Sequence, residues 1–421
     1  MNTHTPFSGP EKPGRGCGPF TPISGSPESL RVSIFERIRA EGAVSRATIA
    51  KDLSISPATV TTQTSALIQL GFIQEEPVEL DGESARGRPP IALAVNPEAH
   101  MVGGIKLSDK EHSAVIYDFA GREIASLSMK AHPVSTADQI IAATIELVTS
   151  ICAKIGVQVQ DLSAIGVGLP GFINASQGIV HWSPIIEDVP PNFAEILSTR
   201  LKAKVIVEND ANLIALAELW FGAGRQISDF AVVTIEHGVG MGLVINHKLY
   251  AGARGMGLEL GHMKVSLDGA LCRCGQRGCL EAYVADYALM REASFASHGV
   301  DPDAPAEVAL ETLYHEAKAG NLTARSIFER AGKYLAMGMG NVTNLFDPQL
   351  IILSGGRMQY DYFYSSEIVE EMKRHALNSG DGLPPIEVHA WGDLVWAAGA
   401  AAMALSHVTE AILSEPTLAS A

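Results

Sequence analysis

Three of the five cysteines in this 421-residue chain fall within eight residues of one another, inside the stretch "GLELGHMKVSLDGALCRCGQRGCLEAYVA" at 257–285. With a nearby histidine they form a His-x9-Cys-x-Cys-x4-Cys array: His262, Cys272, Cys274 and Cys279. Three thiolates and one imidazole complete a tetrahedral shell of the structural zinc type and leave no coordination position for a water nucleophile. To converge four ligands the backbone must bend tightly, and Gly269, Gly275 and Gly278 permit it. The alternative is three free cysteines in a loop. An odd cysteine count clustered in this way suits thiolate ligation in a reducing compartment better than a disulfide framework, and leaves Cys17 and Cys152 as incidental residues.

Two carboxylates, Glu259 and Glu281, bracket the array. Either alone reads as a solvated surface residue. A metal that pins the loop would also pin both acceptors, and rigidly held charged acceptors suit a polyhydroxyl ligand. A second candidate group lies upstream, where the buried run "AKVIVEND" meets the helical run "ANLIALAELWFG". Asn209 and Asp210 sit at that junction, the place where α/β folds put ligand contacts and also where a plain helix N-cap belongs.

Around these motifs the texture changes twice. Residues 1–27 are rich in Gly, Pro, Ser and Thr without apolar periodicity, the composition of a disordered tail. From Leu30 the spacing of Leu30, Ile34 and Ile38 predicts a helix stopped at Gly42, then a second helix capped by Ser45. A third is capped by Ser56, with Pro57 at its first position and Val60, Leu67, Ile68 and Leu70 facing inward. Three short helices followed by the alternating "FIQEEPVELDGESARGRPPIALAVN" read as a winged helix-turn-helix over 28–97, although such modules also serve dimerisation. Beyond Pro97 strands and helices alternate: "MVGGIKL", "HSAVIYDF", "EIASLSMKA", "LSAIGVGLPGFIN" and "QLIILSGG" are strand runs, and "DFAVVTIEHGVGMGLVIN" is a hairpin through a Gly-rich turn. This predicts an α/β region over 98–421.

The run "ELGH...CRCGQRGCLE" resembles the zinc-binding signature of the ROK family (repressor, open reading frame, kinase), and "GLPGFIN", "VENDAN" and "NLFDPQLIILSGG" resemble its other landmarks in the same order. The resemblance covers about residues 100–405. It implies an actin-like, sugar-kinase-type fold of two α/β lobes around a cleft, with a zinc loop at 259–281 ordering part of a sugar site. Asn209, Asp210, Glu259, His262 and Glu281 match the family's sugar contacts. His262 would then bind zinc through one ring nitrogen and a sugar hydroxyl through the other, in keeping with the way ligated imidazoles use their second nitrogen.

The family holds both sugar kinases and transcriptional regulators, so the phosphate loops decide between them. Its kinases open the first strand with an Asp-x-Gly-Gly-Thr turn whose backbone amides approach the phosphates closely. Here the same stretch is "GIKLSDK", with Lys106 at the Asp position and Ser108, Asp109 and Lys110 in place of Gly-Gly-Thr. The second turn, Gly-Thr-Gly-x-Gly in the kinases, is "EHGVG", with Glu236 and His237 replacing Gly-Thr. Asp210 matches the kinase general base but, without ATP loops, is expected to bind sugar rather than catalyse. Gly355 and Gly356 resemble the adenosine loop, yet glycines ending a buried strand are also simply structural.

The N-terminal module resembles the one that ROK regulators carry and the kinases lack. It would place Ser56, Thr59, Thr61, Thr62 and Gln63 near base edges or phosphates in the major groove, and Arg86 and Arg88 of "ARGRPP" in the minor groove, unless that tripeptide is a solvated wing. The first 95 residues carry nine Lys and Arg against ten Asp and Glu, and the chain's net charge is −16. Nucleic-acid contact must therefore be local and come from paired copies, a homodimer or dimer of dimers on operator half-sites. No apolar run reaches the roughly 18 to 20 residues of a membrane span, and the N-terminus lacks a secretory signal core, which predicts a cytoplasmic protein. The expectation is thus a zinc-stabilised, non-enzymatic regulator with operator DNA and a monosaccharide as partners, and the rival is an active sugar kinase with an appended DNA module. Trp182 in "HWSP" is read either as a sugar-facing ring or as a core residue.

Overall fold

The computed structural model describes residues 16–20, 27–77, 91–296, 306–363, 365–377 and 382–413. They fall into two compact units, one built from the described residues of 229–245 and 250–391, the other from those of 16–228, 246–249 and 392–413. Each is described by itself.

The N-terminal module opens with helix α1 (Pro27–Glu41), strand β1 (Ala43–Val44), α2 (Arg46–Asp52) and α3 (Pro57–Gln69). Ser45 and Ser56 cap α2 and α3, each accepting the amide of the residue three positions on, at 3.1 Å. Strands β2 (Ile73–Pro77) and β3 (Ile91–Val95) pair antiparallel, and β1 joins on the other side of β3. Helices followed by this small sheet are the expected winged helix-turn-helix. Val60 and Leu67 are buried as expected, but Ile68 is half-buried and Leu70 is 36% exposed. The helix ends at Gln69, so the periodicity runs past its last turn; Thr64 takes the inward place, its hydroxyl accepting from Arg46 Nε at 3.1 Å.

The first lobe follows with no linker, β4 (Met101–Lys106) beginning six residues after Val95. Antiparallel β5 (Glu111–Asp118) and β6 (Glu123–Lys130) extend one side of β4. On the other side lie parallel β7 (Leu162–Leu169) and β8 (Val205–Asn209), for a sheet order β8-β7-β4-β5-β6. The intervening chain supplies α4 (Ala137–Ile155) and α5 (Phe193–Leu201), and β8 runs straight into α6 (Asp210–Phe221). The fully boxed Thr136 and Gln139 cap of α4 fixes its start, and its apolar stripe packs Ile140, Leu147 and Ile151 into the lobe's core.

In the second unit β9 (Phe230–Ile235) and β10 (Val239–Ile245) form the expected hairpin, edged by β11 (Lys248–Tyr250). Helices α7 (Glu281–Val284), α8 (Asp286–Ala296), α9 (Ala306–Lys318) and α10 (Leu322–Phe346) precede β12 (Leu350–Ser354), which pairs parallel with β9. After α11 (Ser366–His375) a last strand, β13 (Ile386–His389), pairs parallel with β12.

The chain then returns to the first lobe as α12 (Val395–Leu413). Its backbone lies directly on the sheet: a Cβ added at Gly104 would strike Ala397 O, and one at Gly166 would strike Ala400 O. By length and composition α12 passes as membrane-spanning, against the expectation from the sequence, but 67% of that window is buried inside the fold. It is a core helix.

The tail expectation needs correction at residues 16–20. Gly18 N donates to Trp220 O at 2.8 Å and Phe20 N to Arg225 O at 3.1 Å, while Cys17 is 1% exposed and packs on Gly121. Burial pushes the Cys17 thiol up to about 11. Backbone bonds hold this strap, so apolar periodicity could not reveal it. Both Cys17 and Cys152 are buried packing residues.

Candidate metal centre and ligand site

The metal-ligand array lies wholly in the second unit. After the short turn Leu260–His262, the bridges Lys264 to Cys279 and Leu271 to Arg277 fold residues 264–279 into a knuckle. Gly278 is indispensable to it, since φ is +73° and an added Cβ would collide with Ser266 O. The ligand atoms of His262, Cys272, Cys274 and Cys279 lie within 4.8 Å of one another. Cys272 Sγ is 3.7 Å from His262 Nδ1, and Cys274 Sγ is 3.8 Å from Cys279 Sγ. A tetrahedral zinc with sulfur legs of about 2.3 Å has edges of about 3.8 Å, so the donor set fits a zinc-sized ion. Lys264 Nζ donates to Cys279 Sγ at 3.0 Å and offsets thiolate charge from outside the shell.

Glu281 opens α7 against this cluster. Its Oε1 lies 3.6 Å from Cys272 Sγ and accepts from the Tyr287 hydroxyl at 3.3 Å, and its Oε2 accepts from Val239 N at 3.4 Å. Glu259 is exposed at the start of the His262 turn, its carbonyl accepting from His262 N at 2.9 Å. The structure thus brings Glu259, His262 and Glu281 to one knuckle. Reading the sequence missed Tyr287 and Tyr283, whose hydroxyl accepts from Ala270 N at 2.9 Å and anchors the loop. Two tyrosines within eight residues of the last cysteine were the available signal.

Asn209 and Asp210 lie in the other unit. Asn209 ends β8 and caps α6, accepting from Ala211 N at 2.9 Å and donating from Nδ2 to Gly171 O at 2.8 Å. The cap role is therefore real, and it also ties down the "GLPGFIN" loop. Asp210 Oδ1 accepts from Ala211 N at 2.9 Å. Beneath them Glu208 is buried, its Oε1 accepting from Asn209 N at 2.8 Å and Asn212 Nδ2 at 3.0 Å; burial pushes its carboxyl up despite those two bonds. Trp182 is 52% exposed beside Phe172, which removes the core reading for it.

In both stretches that the sequence sets against the kinases' phosphate turns, side chains are engaged by neighbouring residues. In the first lobe Lys106 Nζ lies 3.6 Å from the centre of the Trp396 ring, and Ser108 Oγ donates to Glu111 O at 2.7 Å. In the second unit Gly356 N donates to Glu236 Oε1 at 3.1 Å. Arg357 grips Asp286 with two bonds of 2.6 and 2.5 Å, and His237 Nδ1 adds a third contact at 3.1 Å. Burial pushes the Asp286 carboxyl up, but the hydrogen bonds and charges of His237 and Arg357 outweigh it and hold the group below the usual carboxylate range.

On α3, Ser56, Thr61 and Thr62 are exposed and Thr59 and Gln63 half-buried. Thr61 and Thr62 return their hydroxyl protons to Pro57 O and Ala58 O, and Gln63 Oε1 accepts from Arg31 Nε at 3.2 Å. Arg86 and Arg88 lie outside the described residues.

Comparison with known proteins places these features. The xylose repressor of Caldicellulosiruptor bescii is 25% identical over 382 residues, covering 89% of this chain and 95% of the repressor. The DNA-binding transcriptional dual regulator NagC of Escherichia coli is 28% identical over 77% of this chain and 79% of its own. Among solved structures, a ROK family transcriptional regulator described as a homolog of the E. coli MLC protein superposes with a TM-score of 0.76 over 92% of this chain and 99% of its own, at 23% identity. A ROK hexokinase from Thermus thermophilus, 28% identical, reaches 0.64 over 73% of this chain and 99% of its own. The ROK family model itself matches residues 104–407. A two-lobed α/β chain carrying this knuckle and matched over that span belongs to the ROK family.

Proposed function

We propose that the protein is a sugar-responsive DNA-binding transcriptional regulator, a repressor of genes for carbohydrate uptake or catabolism whose ROK domain binds a monosaccharide without phosphorylating it. One observation carries the reading: a winged helix-turn-helix with an exposed Ser56, Thr61 and Thr62 is built onto a ROK domain whose two phosphate turns are closed by Lys106, Trp396, Glu236 and Arg357. A relative named as a xylose repressor and one named as a transcriptional dual regulator each match most of the chain, which supports it.

In this reading α3 enters the major groove with Ser56, Thr59, Thr61, Thr62 and Gln63, and Arg86 and Arg88 reach the minor groove. Asn209, Asp210, Glu259, His262 and Glu281 serve as sugar contacts, as the family's pattern implies. Zinc held by His262, Cys272, Cys274 and Cys279 supplies rigidity, since four protein ligands leave it no position for chemistry. Two copies bind paired half-sites as a homodimer. Sugar relieves repression by favouring the conformation with the weaker operator affinity.

The test uses the full chain. A melting-temperature screen with D-xylose, N-acetyl-D-glucosamine and D-glucose identifies the ligand, and capture of genomic DNA fragments identifies the operator. A coupled assay with Mg-ATP and the same sugars is expected to show no turnover. Phosphorylation at about 1 per second or faster would establish the kinase reading instead. Arg88→Ala is expected to weaken operator binding while leaving the sugar-induced melting shift at its wild-type size.

A further inference from the structure

Arg39, near the end of α1, is buried, and among the described residues no carboxylate makes a salt bridge with it, although Glu36 and Asp118 act on it at longer range. Its guanidinium lies 4.6 Å from the Phe35 ring on α1, 5.0 Å from Phe119 on the β5–β6 turn and 5.3 Å from Trp220 on α6. Nη2 donates to Thr409 Oγ1 on α12 at 2.8 Å, whereas Nε and Nη1 meet no hydrogen-bond acceptor among the described residues. Burial lowers its pKa from the usual arginine value, a sign that the folded chain bears a desolvation cost here. An apolar side chain would fill such a site without the cost of desolvating a charge, so burial alone does not call for an arginine. A planar cation that must satisfy three rings and one hydroxyl at once does something else: it fixes where α1 sits against α6 and α12.

A second arginine grips α1 from the far end of α6. Arg225, just past the end of α6, donates from Nη2 to Ala40 O at 2.6 Å and from Nε to Gly18 O at 3.2 Å. The strap at residues 16–20 closes the joint through Gly18 N to Trp220 O and Phe20 N to Arg225 O. From α1 the connection continues to the DNA-reading helix, because Arg31 Nε donates to Gln63 Oε1 on α3. All these residues belong to one compact unit.

The same helix α6 therefore has two ends with different duties. Asn209 and Asp210 stand at its start, and Trp220 and Arg225 grip the DNA-binding module at and beyond its finish. Twelve helical residues span about 18 Å. We propose that Arg39 and Arg225 are positioning residues for the sugar response: through them, movement at the sugar end of α6 resets α1 and so α3. The proposal rests on the regulator reading above. It makes α6 a rod shared by both sites, whose placement each ligand biases, which is the physical content of coupling.

The experiment measures operator affinity of the full chain by fluorescence anisotropy with and without whichever panel sugar raises the melting temperature, using the genomic fragment captured by the wild type. Wild type is expected to change operator Kd at least about fivefold on sugar addition. Arg39→Met and Arg225→Gln are each expected to keep sugar affinity and sugar-free operator affinity within about threefold while the sugar-dependent change falls below about twofold. If both variants respond as wild type does, the α6 joint carries nothing and the proposal is overturned. If both lose sugar and operator binding in step with a fallen melting temperature, the arginines are structural and it is likewise overturned. Should Arg39→Met alone fail to fold, Arg225→Gln, on the half-buried side of the joint, decides. A wild type that binds sugar and phosphorylates it, or binds no DNA, instead removes the regulator reading on which the proposal stands.

Discussion

The knuckle at 259–287 and the turns at 106–112 and 236–238 are both clusters of polar and charged side chains, yet they end differently. In the knuckle four ligand atoms gather within 4.8 Å of one another, and Glu281 is held beside them by Tyr287 and Val239 N. In the turns each group is paired with a neighbour: Lys106 with Trp396, Ser108 with Glu111, Glu236 with Gly356, and His237 with Asp286, which Arg357 also grips. Convergence marks a place kept for something from outside, and mutual pairing marks a place given over to stability. The four substitutions below break or sharpen that contrast, from the largest expected effect to the smallest.

Cys274 is exposed, so as an unligated side chain its replacement by serine would change stability by no more than about 0.5 kcal/mol. As a thiolate ligand it takes the ion with it. Cys274→Ser is expected to lose bound zinc, measured by elemental analysis, together with several degrees of melting temperature and the sugar-induced shift. Retention of metal and sugar response would reduce the knuckle to a loop of free cysteines.

Asp286→Asn removes the countercharge of a buried guanidinium and is expected to cost about 3–5 kcal/mol in urea unfolding. Its pH signature is opposite in sign to that of a raised group. The Asp286 carboxyl is held below its unfolded value, so its contribution is complete at neutral pH and drains away as pH falls through the folded pKa. Wild type should lose stability in that acid window, and the Asn variant should show that part of the slope flattened.

Lys106→Ala forfeits a cation held against an indole, an effect of about 1 kcal/mol. The melting shift with sugar is expected to stay at its wild-type size. A lost response would mean that the first turn belongs to the ligand site, and the contrast between the two kinds of cluster would collapse.

Much of this was legible in the residues themselves. Ser45 and Ser56 announced two helix starts, the β9–β10 hairpin and β12 followed from apolar runs, and cysteine spacing pointed to the four side chains that cluster as a metal could need. What escaped notice shares a physical character. The strap at 16–20 is held by backbone hydrogen bonds that leave no side-chain pattern, and Arg39 looks like any helical surface charge until two distant rings, Phe119 and Trp220, join Phe35 around it. Helix α12 averages as a membrane span because a helix packed between a sheet and α6 needs apolar residues on most sides. Long-range packing, invisible to local periodicity, decided all three.

Ser108→Gly is the smallest test and the most pointed. It restores a glycine of the kinase pattern and removes the hydroxyl that donates to Glu111 O at 2.7 Å, a loss of about 1 kcal/mol. Gly355, by contrast, has φ of +103° and a Cβ there would come within 2.8 Å of Ile235 O, so that glycine serves the backbone whether or not a nucleotide ever binds. Ser108 is not among the positive-φ residues, so its backbone asks for no glycine. The variant is therefore expected to melt slightly lower and to gain no Mg-ATP binding by calorimetry, because Lys106 still stands at the acidic position and Glu236 still takes the Gly356 amide. Gain of nucleotide binding from this one change would show that a single hydroxyl keeps the first turn closed, and that the two kinds of cluster differ by less than their hydrogen bonds suggest.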